Sequence, residues 1–329
     1  QFGCYKQGSN FSLAQLTFST DFGKIFNRCV SKIVGLNESE KILISSAREN
    51  IKILNLQNQN IELKLKFCSF SLNEKKDVLI VYDTGLCCYS LSQFKIINSQ
   101  TCWNTCIVAL IQIEEKYVAM AFSGKNHIQI DAWTNYTTET KDHRYQLLSG
   151  HSDFVNCLCA VKNDLLISGS DDKTLKYWKI STLECINTFK GHTGSVTCIQ
   201  IIANKGEFLS GSFDRTIKLW NLNTGECSET FNGHQSQINQ IQLCQDEICF
   251  LSLSYDGILK QWNFKTGQCV HTMDDNKNDR ISSFTVLKTE NLVTGSRNGR
   301  IKIWSTNENK IEKDQKIEKK FGKKFCNFI

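Results

Sequence analysis

Between residues 150 and 304 apolar and polar side chains alternate with a period of two, in short runs separated by Gly, Asn and Asp. Alternation on that period places successive side chains on opposite faces of a pleated strand. The stretch 208–231 shows the pattern. Phe208–Ser212 reads as a strand, Asp214-Arg215 as a tight turn, and Thr216–Trp220 as the returning strand. Asn223-Thr224-Gly225 makes a second turn before another strand, Glu226–Phe231. A Gly-His pair and a further apolar strand follow, and the order restarts. Four short antiparallel strands therefore fill each unit of about 42 residues, without a helical segment of useful length.

The unit recurs. Trp178, Trp220, Trp262 and Trp304 stand 42 residues apart, and each ends a near-copy of one phrase: SGSDDKTLKYW, SGSFDRTIKLW, SLSYDGILKQW and TGSRNGRIKIW. Gly150-His151, Gly191-His192 and Gly233-His234 precede the first three copies. A fixed period of this length marks one supersecondary unit stacked on itself. Gly-His, then Ser-Gly-Ser-x-Asp-x-Thr-Ile-Lys-x-Trp, then Thr-Gly-Glu-Cys resembles the WD-repeat β-propeller family over residues 150–304. The aspartate that often follows the tryptophan in that family is replaced by Lys179, Asn221, Asn263 and Ser305.

The first half carries a degraded form of the phrase. IKILNL (51–56) has Leu54 at the tryptophan place, LIVYDTGLCCYSL (79–91) has Tyr89 near it, and YVAMAFSGKNHIQIDAW (117–133) ends in Trp133. Three weak units, about 31–67, 68–99 and 106–148, and four strong ones make seven. The resemblance implies an all-β, seven-bladed β-propeller of four-stranded antiparallel sheets, closed by letting one terminus complete the sheet begun by the other. An N-terminal strand, Lys24–Val30, is expected to do so. Its competitor, Lys310–Lys316, lies in a charged stretch without alternation. The expected organisation is an N-terminal extension (1–20), the propeller (21–305) and a C-terminal tail (306–329).

Recurrent His, Ser and Asp invite a catalytic reading, but the set appears once per strong blade, whereas an enzyme needs one converging site. The resemblance implies a structural role instead, as hydrogen-bonded chains within each blade: His151, Ser168, Asp172 and Trp178; His192, Ser210, Asp214 and Trp220; His234, Ser252, Asp256 and Trp262. The last unit has Asn298 for the aspartate and lacks a Gly-His pair, so it should be held more weakly. The residue before the turn aspartate is implied to lie on the upper face near the channel: Asp171, Phe213, Tyr255 and, by position, Arg297. Phe154 and Asn156, Ser195 and Thr197, Gln237 and Asn239 are expected beside them. Exposed rings next to an arginine suit a partner-binding site.

Composition adds exclusions. No apolar run among the 329 residues approaches the ~18 that a membrane-spanning helix needs. Neither GxGxxG nor GxxxxGK[ST] occurs, and His127, His143 and His271 lack catalytic or metal-binding neighbours in sequence. No cofactor is expected. Cys102 with Cys106, or Cys157 with Cys159, offers half of a metal site and no second half. Cys185, Cys227 and Cys269 repeat at equivalent places, a full blade apart and so beyond disulfide reach. The sixteen cysteines are expected to be reduced and mostly in the core, in an intracellular, cytoplasmic protein, with nuclear or ciliary placement open and no disulfide-linked partner. No secretory leader is visible, although Gln1 is not an initiator. The tail holds seven lysines against four acids, a net of +3 within the chain's +6, and phenylalanines at 321, 325 and 328, spaced by four and three. A solvated extension, docking on a partner protein, and contact with nucleic acid or a membrane remain open for it.

The function expected is a non-catalytic protein–protein interaction scaffold within a larger intracellular complex. The alternative is a peptide-motif reader, either a histone-tail binder or a ubiquitin-ligase substrate receptor, using the upper channel mouth. An enzyme is the third and least supported reading.

Overall fold

A computed structural model describes nearly all of residues 146–305 and, before them, the strands named below with a few adjoining residues. The basic tail, 306–329, lies outside the described residues, as do Trp133 and His143.

All the regular structure described is β. Strand β1 is Thr17–Lys24. Six sheets then follow in chain order, each an antiparallel meander of four consecutive strands. The first comprises β2 (Val30–Gly35), β3 (Lys41–Ser46), β4 (Ile51–Asn55) and β5 (Ile61–Leu65). The second comprises β6 (Ser69–Leu72), β7 (Val78–Tyr82), β8 (Gly85–Ser90) and β9 (Lys95–Thr101). The third comprises β10 (Ile107–Ile113), β11 (Tyr117–Phe122), β12 (His127–Ala132) and β13 (Gln146–Ser149). The fourth comprises β14 (Val155–Val161), β15 (Leu165–Ser170), β16 (Thr174–Lys179) and β17 (Glu184–Lys190). The fifth comprises β18 (Val196–Ile202), β19 (Glu207–Ser212), β20 (Ile217–Asn221) and β21 (Cys227–Phe231). The sixth comprises β22 (Ile238–Leu243), β23 (Cys249–Ser254), β24 (Leu259–Asn263) and β25 (Cys269–Met273).

The seventh sheet takes three strands from the C-terminal end, β26 (Ile281–Val286), β27 (Leu292–Ser296) and β28 (Arg300–Ser305), and its fourth from β1. Thr17 pairs with Ser305 and Lys24 with Arg300. The closing strand is therefore N-terminal, but it is not the expected Lys24–Val30. It starts inside the stretch assigned to the extension, and Val30 already opens the first sheet. TFSTDFGK pairs along β28, whereas Val30 pairs with Ser46 of β3 and belongs to the first sheet.

Each sheet packs on the next, and β2 lies against β26 and β27, so the last sheet meets the first. The core lies between sheets. Ile167, Leu175 and Phe189 of the fourth sheet pack with Val196, Phe208 and Trp220 of the fifth. Leu209, Ile217 and Phe231 of the fifth pack with Ile238, Phe250 and Trp262 of the sixth. Trp220 sits edge-on to Phe189 (ring centroids 5.7 Å apart) and stacked on Phe208 (6.3 Å). Trp262 repeats this with Phe231 and Phe250. Truncating one such buried ring costs about 3–5 kcal/mol.

Register shows which first-half residues stand where the tryptophans do. Trp178, Trp220, Trp262 and Trp304 pair with Leu166, Phe208, Phe250 and Leu292. Leu54 takes that position opposite Ile42, and Tyr89 opposite Leu79. In the third sheet the position opposite Val118 is Asp131. Trp133, two residues further along the sequence, lies outside the described residues.

Candidate interaction site at the channel mouth

The side chains that could do chemistry come first, because their geometry decides what is left to bind partners. In the fourth sheet Trp178 Nε1 donates to Ser168 Oγ (2.8 Å), and Ser168 Oγ lies 2.8 Å from His151 Nε2. His151 Nδ1 lies 2.7 Å from Asp172 Oδ2. An indole N–H can only donate, so the serine oxygen accepts it and passes its own proton to Nε2. The neutral ring then carries its proton on Nδ1 and donates it to the carboxylate. The fifth sheet repeats the chain: Trp220 to Ser210 (2.8 Å), Ser210 to His192 (2.7 Å) and His192 to Asp214 (2.8 Å).

Asp–His–Ser connectivity is that of a nucleophile-activating relay. Here the serines are fully buried, and each Oγ is capped by an indole, so no substrate carbonyl can reach it. The same burial lowers the His151 pKa, with Asp172 opposing and nearby Lys176 adding. Burial would raise the Asp172 carboxyl, but hydrogen bonds from Thr174 and His151 outweigh it and hold the group below the usual carboxylate value. Asp214 is held lower still by His192 and Thr216, again against burial.

The sixth sheet departs. Trp262, Ser252 and His234 keep their links (2.7 and 2.7 Å), but Asp256 does not meet His234. His234 Nδ1 is buried without a partner, and burial pushes the ring's pKa down to about 4, with Lys260 adding and Asp256 opposing. One difference lies in a hydroxyl. Thr174 and Thr216 each donate from Oγ1 to the Oδ1 of their aspartate (2.6 Å), which aims Oδ2 at the histidine. Ile258 occupies that position in the sixth sheet and has no hydroxyl. Asp256 keeps the amide bond, from Ile258, and accepts from Ser254 Oγ in place of a threonine hydroxyl. In the seventh sheet Trp304 still donates, now to Thr294 Oγ1 (2.9 Å). The turn at Asn298 is tied from the other loop, where Asp279 accepts its amide (3.2 Å).

With those groups committed inward, the exposed end of the ring is left. Phe154, Phe213 and Tyr255 are each about half exposed, at 47%, 51% and 47%. They stand where the inner strand of each sheet begins and where the second strand turns into the third. Asp171 donates its amide to Phe154 O (2.8 Å), Phe213 to Ser195 O (2.9 Å), Tyr255 to Gln237 O (2.8 Å) and Arg297 to Arg280 O (3.0 Å). The four expected positions thus occupy one structural place on four consecutive blades. Arg297 lies over the Tyr255 ring, its guanidinium carbon 4.2 Å from the centroid, and Nη2 donates to Tyr255 O (2.8 Å).

Asn156, Thr197 and Asn239 are different from what their sequence position suggested. Each is the extra residue of a bulge in an inner strand, which re-aims its side chain. Asn156 Nδ2 donates to Asp171 Oδ1 (2.6 Å) and to Val196 O of the next blade (3.2 Å). Thr197 donates to Ile238 O (2.5 Å), and Ser282 at the equivalent place donates to Val30 O (2.6 Å). Asn156 and Thr197 are inter-blade ties. Asn239 is exposed and makes no such tie.

Comparison with known proteins fits this geometry. A model described as WD domain, G-beta repeat matches residues 143–179, 183–221, 225–263 and 267–305. Residues 143–305 are a WD40-repeat array. The fold of the chain is similar to that of the WD40 beta propeller domain of Doa1, with a TM-score of 0.71 at 18% identity, covering 90% of this chain and 98% of that one. Cell division control protein 4 of Saccharomyces cerevisiae is 33% identical over 101 residues, 31% of this chain and 12% of its own. The probable E3 ubiquitin ligase complex SCF subunit sconB of Talaromyces stipitatus is 42% identical over 66 residues, 19% of this chain and 9% of its own. The nuclear distribution protein PAC1 of Candida dubliniensis is 44% identical over 59 residues, 16% and 12% respectively. The aligned segments span about a tenth of these relatives' lengths.

Each WD40 match takes the outer strand of one blade with the first three of the next, so a repeat is staggered against the sheet it helps to build. Sequence reading missed several members of the repeated network. Ser170 and Ser212, the second serines of the phrase, donate to Asp153 O and Gly194 O (3.0 Å each). Lys176, Lys218 and Lys260 each donate to a threonine on the outer strand (2.9 Å each). Their signal was present as recurrence at 42 residues, without a chemical reason to single them out. Cys185, Cys227 and Cys269 are free and exposed on outer strands, contrary to the expectation of a core position. Cys157, Cys159 and Cys198 are free and only partly exposed, and burial pushes the last two up to about 11 and about 12.

Proposed function

We propose that the chain is a non-catalytic platform for protein–protein contacts, a subunit of a larger intracellular assembly. The observation that carries this reading is the division of labour at the exposed end of the WD40 array. Every His–Ser pair of the repeats is sealed beneath an indole, while Phe154, Phe213 and Tyr255 stay about half exposed at turns whose backbone is already satisfied. Rings that the fold does not need to bury, presented on stiff blades, are what a partner surface can use. Free thiols, three of them exposed, support a reducing compartment.

A second reading is supported by the same rings together with the relatives named as an SCF ubiquitin-ligase subunit and as F-box/WD repeat proteins. In it the mouth receives a peptide motif, as in a substrate receptor or a histone-tail binder. The two readings separate on where partners are lost. Proteins co-purifying with the full chain from its own source should survive Phe213→Ala with Tyr255→Ala if the chain is architectural, and should disappear on changes in the first three blades. A motif reader loses its ligand with those two substitutions at an unchanged melting temperature. Stable turnover of any substrate by the purified chain overturns both.

A further inference from the structure

On blades four to seven the chemistry of the mouth is ordered, and the order specifies a ligand. One structural place on four consecutive blades holds Asp171, Phe213, Tyr255 and Arg297: acid, ring, ring, base. At the acidic end partly exposed Asp171 accepts the Asn156 amide on Oδ1 (2.6 Å), and exposed Asp153 stands next to half-exposed Phe154. At the basic end Arg297 donates from Nη2 to Tyr255 O and from its backbone to Arg280 O, while the one described carboxylate there, Asp279, is engaged by the Asn298 amide and by Arg300 (4.0 Å). Exposed Lys173 and Arg215 sit further out along their turns, toward the third strands.

Because Arg297 already covers Tyr255, an incoming cation finds its open aromatic faces at Phe154 and Phe213. An incoming carboxylate finds Arg297 and exposed Arg280 at the other end. Building on the reading that the mouth receives a partner, we propose that it binds an extended peptide segment with a Lys or Arg at the blade-four end, an apolar or flat side chain over Phe213, and an Asp or Glu at the blade-seven end. Packed sheets lie about 10 Å apart, so three blade steps separate the charges by on the order of 20–30 Å. At roughly 3.3 Å per extended residue that is about six to nine residues.

Selection of a phage-displayed random dodecapeptide library on the full chain tests this. Recovered peptides should carry a basic and an acidic residue about six to nine positions apart with apolar or aromatic residues between. The same selection on Asp171→Asn should lose the basic preference about tenfold and keep the acidic one, and Arg297→Gln should do the reverse, each at wild-type melting temperature. Peptides of uniform charge, or an unchanged preference on Asp171→Asn, overturn the charge order. So does the absence of enrichment over a Phe213→Ala, Tyr255→Ala control. If whole proteins still co-purify in that last case, the interaction platform stands and only the peptide chemistry fails.

Discussion

The sixth blade has Ile258 where the fourth and fifth have Thr174 and Thr216, and its polar chain stops at His234. Thr174 and Thr216 clamp an aspartate so that it meets a histidine, and Ile258 cannot. Ile258→Thr should bring Asp256 to His234 and raise stability by about 1 kcal/mol, read as a shift in the urea midpoint at pH 7. The substitution should also change the acid response. A histidine near pKa 4 when folded and near 6.5 when unfolded resists a proton that the unfolded chain takes. Stability is therefore complete above about pH 6.5 and falls as pH drops toward 4. His151 acts in the same direction, and the lowered Asp172 and Asp214 add a further loss below the ordinary carboxylate range. In Ile258→Thr the loss between pH 6.5 and 4 should shrink, because the paired carboxylate favours the charged ring. Equal slopes in both proteins would show that Asp256 stays away. Conversely, Ser210→Ala removes the acceptor of Trp220 and the donor to His192, both buried, and should cost about 1–3 kcal/mol in the same measurement. The residue types of these chains were legible as a recurring set. That one aspartate turns away was not, since the change from DRT to DGI does not say where the carboxylate will point.

At the level of the blade, what matters is how closely neighbouring sheets approach. Gly169, Gly211 and Gly295 sit under the inner strand of the next blade, and a Cβ on Gly211 would lie 2.6 Å from Ile238. Gly211→Ala should therefore destabilise by about 1–3 kcal/mol through overpacking, measured by thermal unfolding, while the exposed Gly124 accepts alanine without a clash but with a strained backbone. The sixth blade carries Leu253 at the equivalent position, and glutamines do the joining there. Gln240 donates to Phe284 O (2.7 Å) and accepts from Phe284 N (3.2 Å), and Gln242 makes the matching pair with Val286 (3.3 and 3.2 Å). Their amides stand in for a peptide group and extend a ladder from one blade to the next. Strand boundaries of the strong repeats could be read from alternation and turn residues. The bulges that send Asn156 and Thr197 into the neighbouring blade could not, because one unpaired residue leaves no mark on the pattern.

Over the whole ring, closure depends on Thr17–Lys24 covering β28. Removing residues 1–24 should expose the edge Arg300–Ser305, lower the melting temperature and produce concentration-dependent association by light scattering. A truncated chain that stayed monomeric and equally stable would mean that the seventh sheet holds with three strands. The sequence by itself determined the repeating four-strand unit, its 42-residue period and the identity of the buried indoles, because alternation and recurrence are local properties that survive without coordinates. It also placed Phe213, Tyr255, Asp171 and Arg297 at equivalent points of successive units. Only the tertiary structure decided which N-terminal strand seals the last sheet, which polar side chains are consumed between blades, and that Arg297 already covers Tyr255. Each of those outcomes depends on a distance between residues far apart in the chain, and a one-dimensional pattern carries no distances.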